Sequence, residues 1–377
     1  MFKKVRQTLT KKLRKFTKKQ KTVLYVLLCL LILIISISAT VAYQHFQQQK
    51  QTQDEILIEA QATHPLNSDT SQIEENDRKE LNVLLIGYGG AGHQGGMLAD
   101  LIQIAHFDFE KNTLAFISIP RDLELSLGNG RYQKINNVFS SQMTGSDPIV
   151  NAGQVTKNLL SSITNLNIKY FIAVDFVGFQ RLIGQELGSI EVEVAEDFKD
   201  QWYPIEGKQL DPCGYSNEEI AQLTATLSGF ELEKQFTCRY ETIYFPAGLQ
   251  KMEGAEALKY VRSRHSSSDF DRSRRQVEVL TGIRKKLFEL EALSHIPDFF
   301  KKVNQHVTTD LNLEILEYLA PLLLNANDFT IKNINLSTEN VLNSSSSSNG
   351  FVLIPKAGPN NWTQLQNFIQ DSLNSDN

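Results

Sequence analysis

Short apolar runs alternate with stretches of helical periodicity between residues 81 and 290, and this alternation predicts an α/β domain. Leu81–Gly87 is an uninterrupted apolar run ended by glycines, as in a buried strand. The runs 100–107 and 113–119 predict two further strands, separated by the turn-like segment 108–112. Strands interleaved with helices are typical of a layered domain with helices packed on a sheet.

The pattern continues beyond these strands. The further predicted elements are a helix at 146–166, a strand at 170–176, a helix at 177–187, a strand at 189–194, helices at 254–263 and 273–290, a strand at 351–355 and a helix at 362–373. Residues 198–244 form a polar insertion of mixed helix and loop. Residues 291–377 are either the closing portion of the domain or a small appendix.

The N-terminal segment predicts a membrane anchor. Residues 22–43 carry no charge, and a helix of that length rises about 33 Å, enough to cross a bilayer core. Residues 1–21 hold ten Lys or Arg and no acid, so this tail should stay cytoplasmic and the later chain lie outside the cell. The alternative is a cleaved signal peptide, whose apolar region is usually shorter. Residues 44–80, which are rich in polar side chains, predict a stalk.

Charge and cysteine content narrow the function. The whole chain has a net charge of −5 although its tail is strongly basic, so the outer region is acidic and unsuited to binding nucleic acid. Cys213 and Cys238 fall in the predicted extracellular insertion. They are compatible with a disulfide bond or with two free thiols.

A glycine-rich segment at residues 87–100 is the first candidate site. Glycine-rich loops after strands can cradle phosphates through backbone N–H groups, although a flexible surface loop is an equally good interpretation. Asp100, at the start of the next predicted strand, is placed to bind a hard cation that bridges phosphate oxygens. It could instead cap a turn.

Basic residues form two further candidate sites. Arg121 follows Ile119-Pro120 at a predicted strand end, where a guanidinium suits bidentate phosphate binding; its alternative is a surface pair with Asp122. Lys134 could add a second cation. Farther along, five arginines fall within fourteen residues and could gather the charge of a pyrophosphate, or form a solvated basic patch. The members of this cluster are Arg262, Arg264, Arg272, Arg274 and Arg275, with Gln276 beside them.

These motifs, in this order, resemble the LytR-CpsA-Psr family of bacterial cell-envelope proteins over roughly residues 81–290. The matching motifs are the LLIG strand with its glycine loop, Asp100, Ile119–Asp122, Lys134–Asn136, Phe245–Gly248, Gly254–Leu258, Tyr260–Arg264 and the spacing of Arg272, Arg275 and Gln276. The resemblance implies an α/β/α domain around a central mixed sheet, with an apolar pocket for a polyprenyl chain.

The resemblance also implies an activity. Members of this family are thought to transfer a glycopolymer from polyprenyl pyrophosphate to peptidoglycan with Mg²⁺ or Mn²⁺, as membrane-anchored transferases in cell wall biogenesis. Asp100 would hold the metal, and Asp100, Arg121 and Arg264 would be catalytic. The implied pyrophosphate ligands are Arg121, Arg262, Arg264, Arg272 and Gln276, to which the residue pattern adds Lys134 and Arg275. This chain has Gly89 where the family often has an acid, and Ala99 where it often has Arg.

Two other functions fit the same residues. A polyprenyl-pyrophosphate phosphatase would need the same site, with water in place of the sugar hydroxyl. A non-catalytic regulatory module would hold the lipid pyrophosphate without reacting it. The phosphatase differs from the transferase in the acceptor alone, and the regulatory module would not depend on Asp100.

Overall fold

The structure is a computed structural model that describes residues 79–92, 95–127, 130–263, 269–290, 296–324 and 329–375. The predicted cytoplasmic tail, transmembrane helix and stalk, up to residue 78, lie outside the described residues, as does Arg264. In the part of the chain that is described, no helix combines the length and apolar character needed to cross a membrane.

Strands and helices alternate through the described residues much as the sequence pattern predicts. The strands are β1 (Glu80–Tyr88), β2 (Ala99–Asp108), β3 (Thr113–Ser118), β4 (Glu124–Ser126), β5 (Tyr132–Lys134), β6 (Ile168–Asp175), β7 (Ile190–Val194), β8 (Phe198–Pro204), β9 (Tyr240–Phe245), β10 (Gly248–Met252), β11 (Thr308–Thr309), β12 (Thr330–Asn335), β13 (Leu342–Ser347) and β14 (Gly350–Pro355). The helices are α1 (Ile135–Ser141), α2 (Pro148–Thr164), α3 (Phe176–Arg181), α4 (Asn217–Thr226), α5 (Gly229–Glu233), α6 (Gly254–Arg262), α7 (Asp269–Glu289), α8 (Ile296–Val303), α9 (Leu313–Leu324) and α10 (Thr363–Asn374).

The central sheet is mixed, which confirms the predicted sheet type. Its strand order is β11-β6-β1-β2-β3-β12. The β1–β6 and β3–β12 pairs are parallel, whereas β1–β2, β2–β3 and β6–β11 are antiparallel. All six residues of β3 are buried. This explains its largely apolar sequence, because a strand covered on both faces does not alternate between apolar and polar residues.

Helices pack on both faces of this sheet. On one face, Gly153 of α2 lies against Phe171 of β6, and a Cβ at that glycine would be 2.3 Å from the ring. On the other face, Val277 of α7 packs with Phe116, and Ile315 of α9 packs with residues of β1 and β6. Glycine therefore allows one helix to approach closely, while larger apolar side chains hold the helices of the opposite face.

Residues 291–377, for which the sequence left two alternatives, contribute β11 and β12 to the central sheet, so the structure has the closing portion of the domain. One region differs from the sequence prediction. The insertion at 198–244, predicted as mixed helix and loop, begins with strand β8 and ends with strand β9, and the two pair with a register shift between Asp200 and Tyr203. The bulge interrupts the period-two pattern by which a strand is identified in sequence.

Candidate functional site

The directions of the strands place several polar residues at one end of the central sheet, where β1, β3 and β6 end. The strands β1, β3 and β6 run the same way, and β2 runs opposite to them, so its start meets their ends. Asp100 therefore lies at the same edge as Arg121, which follows β3, and Asp175, which ends β6. Tyr88 at the end of β1 pairs with both neighbouring strands there. Binding sites of α/β sheets commonly form at such strand ends.

A cavity of about 730 Å³ opens at this edge and extends between the sheet and the helices α7, α8 and α9. Its wall is mainly aliphatic and aromatic. The sheet contributes Leu81, Val83, Leu85, Leu101, Ala105, Phe107, Leu114, Phe116, Ile172 and Val174, and the helices contribute Leu280, Ile283, Leu287, Phe288, Phe299, Phe300, Val303, Leu316 and Leu319. Water gains few hydrogen bonds on such a surface, so a long hydrocarbon is the favoured occupant.

Most of the predicted site residues meet at this cavity. Asp100, Arg121, Arg262, Arg272 and Gln276 all belong to its lining. Three guanidinium groups thus share one cavity with a carboxylate and an amide. Arg121 is far in the sequence from Arg262 and Arg272, yet all three lie on one cavity, and their binding of a pyrophosphate stays a prediction.

The cavity changes character along helix α7. Arg272 and Gln276 occupy successive turns near its N-terminal end, and Leu280, Ile283 and Leu287 continue the same face. The helix presents Arg272 and Gln276 first, and farther along its lining side chains are apolar with the exception of Arg284. An amphiphile with an anionic head and an apolar chain would match both ends of this face.

Arg121 is fixed by two acids. Its Nη1 donates to Asp100 Oδ1 at 2.6 Å, and its Nε lies 3.6 Å from Asp122 Oδ2. Lys134 Nζ donates to Asp122 Oδ1 at 2.7 Å and is not part of the cavity lining. The predicted alternatives therefore coexist, because Arg121 pairs with Asp122 and also lines the cavity.

Arg262 is held by aromatic side chains at the mouth. Its Cζ lies 3.9 Å from the centroid of the Phe176 ring, and its Nη1 donates to the Tyr203 hydroxyl at 3.4 Å. Burial raises the pKa of Tyr203 above its usual value, and the neutral phenol accepts the hydrogen bond from the guanidinium. A guanidinium stacked on a ring keeps its planar donors in a defined plane for an anion.

Arg275 has a different environment from its neighbours. It is fully buried, and its guanidinium donates to the carbonyl oxygens of Tyr260 and Ser263. It is not part of the cavity lining. This differs from the predicted pyrophosphate contact, because the side chain turns from the cavity into the domain, where it binds backbone carbonyls.

The glycine-rich segment contributes its ends to the site. Gly87 and Asp100 line the cavity, whereas the N–H of Gly90 donates to the carbonyl of Gly96 at 2.8 Å. Gly90 has a φ of +84°, and a Cβ there would lie 2.9 Å from Asp175 Oδ2. Glycine is required at this turn, and its N–H closes the loop on itself, which differs from the predicted phosphate cradle.

Asp100 is a suitable ligand for a hard divalent cation. Its side chain is 44% exposed, it lines the cavity, and Mg²⁺ characteristically uses one or two carboxylates together with phosphate oxygens. Among the described residues, a separate His/Cys/Asp/Glu grouping consists of Asp211, Cys213 and Cys238. Those two cysteines form a disulfide bond with a Cα–Cα distance of 5.5 Å, so of the two alternatives left open by the sequence the structure has the disulfide.

Sequence reasoning missed several residues of the lining. Asp175, Tyr203, Asp200, Ser263 and Arg284 all belong to it. Burial lowers the pKa of Arg284. Arg284 lies twelve residues after Arg272, and this multiple of four is a spacing by which the sequence could have indicated that both lie on the same side of the helix. Asp200 gave no such signal, because only the β8–β9 pairing brings it to the cavity.

The fold and the site together define an α/β protein whose apolar cavity ends in a cluster of guanidinium groups. The chain belongs to the LytR_cpsA_psr family, whose family model matches residues 37–365. This confirms the resemblance found in the sequence motifs.

Similar proteins agree with this assignment. The chain is 26% identical over 258 residues to the polyisoprenyl-teichoic acid–peptidoglycan teichoic acid transferase TagV of Bacillus subtilis strain 168; the match covers 66% of this chain and 54%, about half, of TagV. It is 23% identical over 300 residues to the enzyme TagU of the same description from Bacillus licheniformis, covering 79% of this chain and 80% of TagU. The crystal structure of B. subtilis TagV shares the fold, with a TM-score of 0.53 and 21% identity, covering 80% of this chain and 99% of that one.

Proposed function

We propose that this protein transfers a glycopolymer from a polyprenyl-pyrophosphate carrier to peptidoglycan, leaving a phosphodiester link. The observation that carries the proposal is the junction of an apolar cavity with the guanidinium groups of Arg121, Arg262 and Arg272. A polyprenyl pyrophosphate has an apolar chain directly joined to a dense negative charge. The relatives TagV and TagU, which are named as teichoic acid transferases acting on peptidoglycan, support the same activity.

The proposed reaction is a phosphoryl-group transfer. A hydroxyl oxygen of the acceptor forms a bond to the phosphorus next to the sugar, and the bond from that phosphorus to the bridging oxygen breaks. Polyprenyl monophosphate leaves with the electron pair. The hydroxyl proton passes to a carboxylate, for which Asp100 is our candidate because it lines the cavity beside Arg121. Positioning and charge stabilisation supply most of the rate in such reactions.

The arginines have separate tasks in this mechanism. Arg262, stacked on Phe176, and Arg272, on the first turns of α7, would hold the non-bridging oxygens. Arg121 would contact the same group after exchanging part of its bond with Asp100 for the substrate. Once in contact with the substrate, donors held where charge develops need no further reorganisation during the reaction, which is the main source of electrostatic catalysis.

A divalent cation, Mg²⁺ or Mn²⁺, belongs to the proposal. Asp100 would hold it together with phosphate oxygens, and the bound ion would neutralise pyrophosphate charge. Gly89 provides no side-chain ligand, so we expect this chain to rely on fewer protein ligands than relatives with an acid there. The proposed location is the outer face of the cell membrane, with residues 22–43 as anchor and the N-terminus cytoplasmic.

The test is a transfer assay with lipid-linked glycan as donor and peptidoglycan fragments as acceptor. We expect equal amounts of phosphodiester-linked glycan and polyprenyl monophosphate, with both lost in Arg262→Gln. Arg274→Gln is the matched control, because Arg274 pairs with Glu196 at 2.9 Å outside the cavity lining.

Other outcomes would favour the other functions. Lipid monophosphate released equally with and without acceptor would identify a phosphatase. Tight donor binding without turnover, unchanged in Asp100→Asn, would identify a binding or regulatory module.

A further inference from the structure

The C-terminal end of helix α6 is held by hydrogen bonds to one small residue, Ser263, which follows Arg262 directly. Ser263 is 2% exposed and ends the helix with φ −56° and ψ 136°. Its N–H donates to the carbonyl of Lys259 at 3.1 Å. The chain therefore leaves the helix immediately after the arginine that stands at the cavity mouth.

Arg275 holds the backbone of this turn. Its Nη2 donates to the carbonyl of Ser263 at 2.8 Å, and its Nη1 donates to the carbonyl of Tyr260. The guanidinium also lies 4.0 Å from the centroid of the Phe198 ring. Carbonyls in the last turn of a helix lack partners within the helix and carry its negative dipole end, so a buried cation satisfies and stabilises them.

Asp200 holds the side chain of the same residue. Its Oδ2 accepts a hydrogen bond from the Ser263 hydroxyl, and its Oδ1 accepts one from the N–H of Trp202 at 2.8 Å. Asp200 is fully buried and belongs to β8, outside the helices that carry the arginines. One strand thus fixes the side chain of Ser263 while helix α7 fixes its carbonyl.

We propose that Asp200, Ser263 and Arg275 form a positioning clamp that keeps the guanidinium of Arg262 at the place where the pyrophosphate binds. Arg275 acts through the backbone and does not contact the phosphate. The inference rests on the proposed function, and it assigns a positioning role to one buried arginine outside the cavity lining, Arg275, and to two residues of the lining, Asp200 and Ser263.

The physical reason is that electrostatic catalysis depends on the fixed position of the donors. A buried cation and a buried carboxylate are costly to retain unless their hydrogen-bonding partners are well placed, and here both converge on one residue beside Arg262. Loss of the clamp would let the last turn of α6 fray, so Arg262 would have to be ordered by the substrate. Misplacement of a reacting group by about 1 Å can cost roughly 100-fold in rate.

The test uses the full chain with Ser263→Ala, which removes the hydrogen bond to Asp200 and one hydroxyl from the cavity lining. We expect kcat for transfer to fall roughly 10- to 100-fold, while KM for the donor changes by less than about 3-fold, because binding through the other arginines remains. Ser263→Thr keeps the hydroxyl and should restore kcat. Arg275→Lys should act like Ser263→Ala. Arg274→Lys is its matched control, because the adjacent, partly buried Arg274 pairs with Glu196 and is not part of the cavity lining.

A second readout does not depend on turnover. In the NMR spectrum of arginine-labelled protein, the Nε–H signal of Arg262 should change from that of an ordered to that of a mobile side chain in Ser263→Ala. It should remain ordered in Ser263→Thr. Thermal unfolding of each variant separates lost positioning from lost folding, since a purely structural role lowers activity only as far as it lowers the folded fraction.

The outcomes separate the clamp from the proposed function. If Arg262 stays ordered and kcat per folded molecule is unchanged in Ser263→Ala, the clamp is wrong. It is also wrong if Arg275→Lys acts mainly on donor affinity, as a direct phosphate ligand would. If the wild type shows no turnover of the donor but Arg262 still loses order in Ser263→Ala, the clamp stands and the transferase function fails.

Discussion

The apolar cavity leads to a direct prediction at Ala105. This residue lies on β2, is 4% exposed and lines the cavity beside Phe116. In Ala105→Trp the indole would enter the space that we assign to the polyprenyl chain. Because the space already exists, we expect the variant to fold without the 1–3 kcal/mol that overpacking of a filled core costs.

The magnitude follows from the apolar surface that the indole displaces. Burial of one CH₂ group is worth about 0.8 kcal/mol, so full loss of one five-carbon isoprene unit costs about 4 kcal/mol. That corresponds to a dissociation constant raised about 1,000-fold. Partial displacement costs less, so we expect the affinity for a polyprenyl pyrophosphate to fall by about 10- to 1,000-fold.

The assay is calorimetric titration with a short polyprenyl pyrophosphate, compared with inorganic pyrophosphate. Ala105→Trp should lose affinity for the lipid ligand while retaining that for inorganic pyrophosphate. Leu249→Trp is the control, because Leu249 is 54% exposed on β10 and away from the cavity lining. Equal loss of both ligands, or unchanged lipid affinity in a folded variant, would refute the placement of the chain in this cavity.

Further predictions concern folding stability. Burial lowers the pKa of His106 to about 4, so as pH falls the unfolded state binds a proton at this residue before the folded state does. Protonation of His106 should therefore lower the free energy of unfolding by about 3 kcal/mol between pH 6.5 and pH 4. In urea denaturation at a series of pH values, His106→Gln should lack this pH dependence. Replacing both Cys213 and Cys238 by Ser should lower the free energy of unfolding by about 3 kcal/mol, and an unchanged urea midpoint would contradict this. Asp310→Asn should lower the free energy of unfolding by about 3–5 kcal/mol, because it leaves the buried Lys157 without the carboxylate 2.5 Å away. A decrease of less than about 1 kcal/mol in urea denaturation would show that this ion pair does not stabilise the fold.

The parts of the fold that were predictable are those whose burial is uniform. The residues of β3 are buried throughout, so its apolar run was sufficient to identify it. Strand β12 was missed because Thr330–Asn335 has only two apolar residues, Ile331 and Ile334, whose spacing of three is not the period of a strand. It enters the sheet by pairing with β3 from more than 200 positions away. No local pattern contains that pairing.

The sequence predicted which types of residue form the candidate site, but only partly which of those residues line the cavity. Arg272 and Gln276 are four positions apart, which places them on one helical face, and both line the cavity. Arg275 was predicted to contact the pyrophosphate, yet it is fully buried and binds backbone carbonyls. Three positions correspond to roughly 300° of rotation on a helix, so whether both arginines reach the cavity depends on how α7 is turned against the sheet. Tertiary packing decides that orientation.

The most direct test of the whole account is a structure of the full chain bound to a polyprenyl pyrophosphate. The account predicts that the hydrocarbon chain lies between the central sheet and α7. It also predicts that the phosphates accept hydrogen bonds from Arg121, Arg262 and Arg272, with Arg275 still bound to the carbonyl of Ser263. A ligand bound outside the cavity, or phosphates that contact none of these three guanidinium groups, would contradict it.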